Sequence, residues 1–352
     1  MKAIEKNPFN LMYGKVPSSL IDRSNYIETI KNSFLSTPSA IMSYIITGVR
    51  GCGKTVLLRE VSNMFKKEKD WIVFDVNAQG KIIQTISEKL YYEGTMNKLF
   101  LDWSLSVGVS IFSLTIKKEK PINNYEVVFE RLLQEANDHH KRVLITIDEV
   151  NNTQDFREFA GLYQSLIGRN YDVYLLMTGL KDNVNTIISN KATSFLSRTP
   201  KIELGPLSLI NISSEYKRIF DVDIDTSVDL AKVTCGYAFA YQVLGYILYE
   251  NNKNKIDNEV LTLFDDYLAR NCYDVIWKDL SKVEKEICFA IAKSGNGEVN
   301  KIQGLLNKSM SNINNYRYRL IEKGIIESKA YGYLSFTLPR FNEFVILIEK
   351  LS

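Results

Sequence analysis

Gly48-Val49-Arg50-Gly51-Cys52-Gly53-Lys54-Thr55 satisfies the pattern G-x-x-x-x-G-K-[ST] at every fixed position. The chemistry of that pattern is phosphate capture. Glycines let the backbone wrap an anion with its N–H groups pointing inward, at the positive end of the helix that Val56 continues. Lys54 has the reach for β- and γ-phosphates, and the Thr55 hydroxyl is a ligand for Mg2+. Residues Gly48 to Val56 are therefore expected to hold ATP or ADP. A second pattern, Val143-Leu144-Ile145-Thr146-Ile147-Asp148-Glu149, is an apolar run closed by two acids. Asp148 is placed to hold the Mg2+ shell and Glu149 to polarise an attacking water as general base. An acidic pair after a strand is by itself most often a turn or a cap. Together with the upstream loop it predicts hydrolysis. Thr178 and Arg198 follow as weaker candidates: a hydroxyl for the γ-phosphate or the lytic water, and a cation facing a neighbouring subunit's γ-phosphate. Arg50 reads as a variable loop residue.

These residues need elements to position them. Tyr44–Thr47, Trp71–Val76, Val143–Ile147, Val173–Met177 and Lys201–Leu204 are short apolar runs separated by helical stretches. Apolar runs without alternation belong to a parallel sheet covered on both faces. The expected fold class is α/β. Residues 103–118 break the rhythm with period-two alternation and predict a hairpin insertion. Beyond Pro206 the spacing turns helical, over 211–220, 226–234, 238–251 and 256–271.

Residues 275–352 form another unit. Leu280–Ala292 predicts a helix begun by a serine cap, Val299–Leu306 a second, and Ser309–Lys323 a third that ends at Gly324. Ile325–Ser328 and Tyr333–Thr337 then flank a hairpin. That is the winged-helix order. Asn312, Asn315, Arg317 and Arg319 on the third helix are of the types that contact bases and phosphates, so double-stranded DNA is an expected partner. The unit's surplus of basic residues, 12 Lys+Arg against 8 Asp+Glu, is modest, and protein contacts are the other use of such a unit.

Bulk composition excludes several classes. With 352 residues, 45% hydrophobic and 24% charged, the chain reads as an ordinary globular protein of two or three domains. No apolar run approaches the ~20 residues that span a bilayer, and the first residues lack a signal-peptide core. Four scattered cysteines show no metal-ligand spacing and suggest the cytoplasm. His139 and His140 have no third histidine to complete a zinc site or a triad.

The loop and acidic motifs, with the order of elements around them, make the chain resemble the AAA+ and STAND-related P-loop ATPases of archaeal type, and more distantly the archaeal replication initiators. The likeness covers nearly the whole length. It implies a core at 1–206, a helical lid at 207–274 and a winged helix at 275–352. It also implies that Ile21 lies near the adenine, that Thr178 is a polar sensor and that Arg198 is a finger facing a neighbouring subunit, with self-association or a protein partner expected. The lid segment Gly236-Tyr237-Ala238 resembles Gly-x-Pro with alanine in place of proline. The expected function is an ATP-hydrolysing switch that couples nucleotide state to DNA or protein binding. The alternative is a STAND-like regulator that binds ATP with little turnover.

Overall fold

In the computed structural model of the chain, residues 7–12, 14, 16–92, 125–306, 310–328 and 330–351 are described. The alternating segment 103–118 lies outside them. Contacts gather the chain into two units: Ser24–Thr47 with Leu57–Ile202, and Met1–Arg23 with Gly48–Val56 and Glu203–Ser352.

The first unit is built on a sheet of β1 (Ser43–Thr47), β2 (Trp71–Asn77), β3 (Arg142–Asp148), β4 (Val173–Gly179) and β5 (Lys201–Glu203), in the order β2-β3-β4-β1-β5. β1 with β4, β2 with β3, and β3 with β4 all pair in parallel. Each of the first four strands runs to a residue or two beyond its apolar stretch. The helices are α1 (Ser24–Leu35), α2 (Lys54–Phe65), α3 (Ile82–Tyr92), α4 (Tyr125–Asp138), α5 (Gln154–Gly168) and α6 (Lys181–Ser189). Alternate strand residues serve opposite faces. Ile45, Phe74, Ile145 and Leu175 join Ile86, Leu133, Phe159 and Leu166 from α3, α4 and α5 in one buried cluster. The intervening residues meet α1 and α2, where Phe65 packs on Trp71 at 4.4 Å between ring centroids and Phe34 on Tyr174 at 5.0 Å. Each such burial contributes about 2–3 kcal/mol, which explains the unbroken apolar runs.

The second unit is helical: α7 (Leu209–Phe220), α8 (Ile224–Val233), α9 (Ala238–Glu250) and α10 (Asn258–Leu268), then a π-helical turn at Ala269–Tyr273. α11 (Asp274–Lys278), α12 (Lys282–Ser294), α13 (Val299–Leu306) and α14 (Met310–Glu322) follow, then the antiparallel pair β6 (Ile326–Glu327) and β7 (Ser335–Phe336), and α15 (Phe341–Leu351). Starts are set by side-chain caps at Ser208, Asp223, Asp257 and Ser281. At Ser281 a full capping box forms with Glu284. A single apolar cluster runs from Phe9 and Ile21 through Leu244 and Phe264 to Ile287 and Phe341. It crosses residues 274–275 without a break. The helix–helix–helix–hairpin order is the one expected, whereas α15 has no counterpart in the sequence reading.

Candidate nucleotide site

The loop 48–53 leaves the end of β1 and closes into α2 through three glycines at positive φ, 154° at Gly48, 77° at Gly51 and 96° at Gly53. Gly51 occupies a position that the motif leaves free. Its need is local: a Cβ there would stand 2.1 Å from the phenol oxygen of Tyr237. Lys54 is buried at the helix start, and its Nζ donates to the carbonyls of Gly48 at 3.0 Å and Val49 at 2.8 Å. The cation is thus held within the curl of the loop. Beside it, Arg23 donates from Nη2 to the Gly205 carbonyl at 3.2 Å, and its Nη1 lies 3.4 Å from where a Gly53 Cβ would stand. A second cation next to the loop suits a polyphosphate. Cys52 is buried and Val49, Arg50, Thr55 and Val56 are half-buried.

In the sheet unit, register brings the strand ends to one edge. Asn77 aligns with Asp148, Ile147 with Met177, Ile46 with Thr178 and Thr47 with Gly179. The connection leaving β1 travels toward β2 in the direction opposite to those leaving β2, β3 and β4, so the carboxyl end of β1 is a topological switch point. Asp148, Glu149 and Thr178 meet at this edge. The fully buried Thr178 hydroxyl donates to Asp148 Oδ1 and accepts the Glu149 N–H at 2.9 Å. The Val150 N–H donates to the Thr178 carbonyl at 2.8 Å. These bonds fasten Glu149 in a left-handed conformation, φ 55°, which costs a non-glycine residue about 1–2 kcal/mol. Its carboxylate is exposed, whereas that of Asp148 is half-buried.

On the same sheet face, Asp75 of β2 accepts hydrogen bonds from Ser62 at 2.6 Å and Thr146 at 2.7 Å and an ion pair from Lys66 at 2.5 Å. Burial raises its carboxyl, but these donors outweigh burial and hold it below the usual carboxylate range. Asp75 thereby ties α2, the helix that Lys54 opens, to the strand that ends in Asp148. Sequence reading missed Asp75 because a lone acid inside an apolar run carries no spacing signal. Tyr237 was missed as well, although the extra glycine at 51 was its trace.

The remaining candidates are divided between the two units. Ile21 is buried in the apolar cluster of the helical unit. Arg198 is exposed at the end of the 3-10 helix Lys191–Arg198, next to Thr199, whose hydroxyl bonds Ser43 at 3.0 Å. On α14, Asn315 and Arg319 are exposed and four residues apart, hence on one face. Arg317 lies on the other side and its guanidinium donates to Ser328 Oγ at 3.3 Å in the hairpin. Asn312 is helical backbone whose side chain lies outside the described residues.

Residues 20–176 match the family model of an ATPase domain predominantly from Archaea, and residues 270–345 match a domain of unknown function. No curated protein matches the chain. Among solved structures, the Aeropyrum pernix ORC2 protein, in ADPNP–ADP complexes, is 14% identical over 97% of this chain and 98% of its own, with a TM-score of 0.60. Cdc6p from Pyrobaculum aerophilum is 16% identical over 97% and 96%, with a TM-score of 0.48. The Aeropyrum pernix ORC1 protein in complex with DNA is 14% identical over 96% of both chains, with a TM-score of 0.47. At such identities likeness speaks of the fold alone, and the first of the three carries it. With its phosphate loop after β1, its strand order, the archaeal ATPase-domain match over residues 20–176 and this likeness, the chain has an AAA+-type P-loop fold like that of the Aeropyrum pernix ORC2 protein.

Proposed function

We propose that the chain binds ATP with Mg2+, hydrolyses it, and couples nucleotide state to DNA or protein binding by a C-terminal winged helix. The observation that carries this reading is the join of Asp148, Thr178 and Glu149 at the strand edge from which the glycine loop departs. Gly48 to Val56 hold the phosphates, with Lys54 on the β- and γ-phosphates and Ile21 on the adenine side. The Thr55 hydroxyl and the Asp148 carboxylate are hard oxygen donors of the kind that suit Mg2+. Among the described residues no group of three or more His, Cys, Asp or Glu side chains gathers as a ligand set. A hydroxyl and one carboxylate leave the remaining positions of a Mg2+ shell to waters and phosphate oxygens. Bound there, Mg2+ would neutralise charge developing on the phosphate oxygens.

Glu149 takes a proton from water as its oxygen attacks the γ-phosphorus, and the bond from that phosphorus to the β,γ-bridging oxygen breaks to release ADP. Thr178 orients Asp148 and the backbone of Glu149 for that step. Arg198 acts on a neighbouring copy, so turnover requires assembly. Residues 1–206, 207–274 and 275–352 serve as core, lid and winged helix in this scheme. Asn315 and Arg319 face DNA, and Arg317 braces the hairpin.

The test is steady-state phosphate release from ATP with Mg2+ across a protein concentration series, beside Glu149→Gln. We expect specific activity to rise with concentration and to fall about 100-fold or more in the variant, which still binds ATP. A concentration-independent rate removes the role of Arg198 across copies. ATP binding by both proteins with hydrolysis by neither leaves a nucleotide-bound regulator.

A further inference from the structure

A phosphate loop works only if its N–H groups turn toward the anion. Because the peptide is trans and planar, each N–H turned inward sends its carbonyl the other way. Such carbonyls, once buried, need donors. Here the Gly48 and Val49 carbonyls are met from within the curl, and those of Arg50 and Gly51 from outside it. Lys54 Nζ serves Gly48 and Val49. The Tyr237 hydroxyl donates to the Arg50 carbonyl at 2.5 Å, and the Phe239 N–H to the Gly51 carbonyl at 3.1 Å. Tyr237 is the N-cap residue of α9, and Phe239 lies in its first turn, where amides have no partner within the helix. The start of α9 therefore supplies its spare donors to the outer side of the loop. Behind Tyr237, the Cys272 sulfur of the π-helical turn lies 2.7 Å from the phenol oxygen. Burial pushes the Cys272 thiol up to about 11 and the phenol well above its ordinary 10, so both keep their protons. The result is a relay in which the thiol donates to the phenol and the phenol to the loop.

We propose that Tyr237 is the positioning residue of the phosphate loop: it holds the Arg50–Gly51 peptide with the carbonyl outward, and so turns the Gly51 N–H toward the bound phosphate. Sequence patterns for such loops have no place for it, since it lies 186 residues after Gly51 and acts on a carbonyl, which every residue has. The proposal rests on the reading that the loop binds ATP. It differs from a purely structural role in what it predicts. Tyr237→Phe removes the hydroxyl and leaves the ring, so core packing is retained while the peptide loses its anchor.

The experiment uses the full chain and a fluorescent ATP analogue, titrated against wild type, Tyr237→Phe, Cys272→Ala and Lys54→Ala, with thermal melts of each protein. For Tyr237→Phe we expect Kd and KM to rise about tenfold, the loss of one buried hydrogen bond, with kcat at saturation within about twofold. The ratio to wild type should stay constant from pH 6 to pH 9, since the phenol does not titrate there. Cys272→Ala, which keeps the phenol and removes its donor, should raise Kd about threefold. Wild-type binding with an unchanged Kd in Tyr237→Phe overturns the proposal alone, as does a lowered melting temperature with unchanged Kd. A wild-type chain that binds no better than Lys54→Ala overturns the ATP reading, and this proposal with it. If Tyr237→Phe fails to fold, Cys272→Ala decides: a raised Kd supports the relay and an unchanged one overturns it.

Discussion

Lys54 shows how a residue can be readable in type and yet unreadable in setting. Its place in the motif predicts a phosphate cation, whereas the two carbonyls that hold its Nζ are set only by the curl of the loop. Lys54→Ala should weaken ATP binding by about 100-fold, through loss of charge-assisted bonds, as measured by calorimetry. Asp75 is the opposite case, since nothing in its neighbours marks it. Its carboxyl is lowered on folding, so the stability it contributes is present above the unfolded value of 3.8 and lost as pH falls through the folded value. Asp75→Asn should therefore cost about 1 kcal/mol or less at pH 7, discounted because the side chain is half-exposed, and less at pH 3, below the unfolded value. Urea denaturation of both proteins at the two pH values checks this.

Among the elements, α2 and α12 illustrate two ways of anchoring a helix. α2 begins at the phosphate loop and is tied to Asp75 further along by Ser62 and, just past its end, by Lys66. α12 is set by its capping box, in which buried Glu284 accepts the Ser281 N–H at 2.7 Å and also pairs with Lys323 at 2.8 Å. Burial raises the Glu284 carboxyl, yet Lys323 and Ser281 outweigh it and hold the group below its ordinary 4.5. The stabilising contribution is thus complete above pH 4.5 and disappears in acid. Glu284→Gln should lower stability by about 2 kcal/mol at neutral pH, with the difference shrinking below pH 4, in the same denaturation assay. At the end of α14, Gly324 has φ 66°, and an added Cβ would stand 2.2 Å from Cγ1 of Val49 in the phosphate loop. Gly324→Ala should consequently weaken ATP binding, by about fivefold, besides lowering the melting temperature by a few degrees. An effect on melting alone would show that Val49 moves aside.

For the whole molecule, the division into two units follows from where the apolar side chains go. The sheet unit and the helical unit have separate clusters, and residues 48–56 associate with the helical one although β1 and most of α2 belong to the other. The phosphate loop is therefore gripped by α9 and touched by the end of α14. If the C-terminal unit binds DNA, Arg319→Ala should lower affinity and reduce the salt dependence by about one ion. Arg317→Ala should act through the hairpin that Ser328 anchors, with less change in that slope. Fluorescence anisotropy at two salt concentrations separates the two.

Some of this was legible in the chain itself. The five strands, the loop, the acidic pair and the cap at Ser281 were readable because each rests on local chemistry: glycine dihedrals, burial on two faces, an oxygen before a helix. α15 was not, because Phe344-Val345-Ile346-Leu347-Ile348 is as apolar and β-branched as a strand. As a helix it packs Phe341 and Phe344 on Tyr273 and Trp277. The same holds for the candidate site. Residue types told which atoms can hold phosphate and activate water. Which carbonyls and hydroxyls fix those atoms in place, Tyr237 on Arg50 and Thr178 on Asp148, was decided by tertiary structure. Hydrogen bonds between residues far apart in sequence leave no period and no motif, since their partners are set by where the backbone returns.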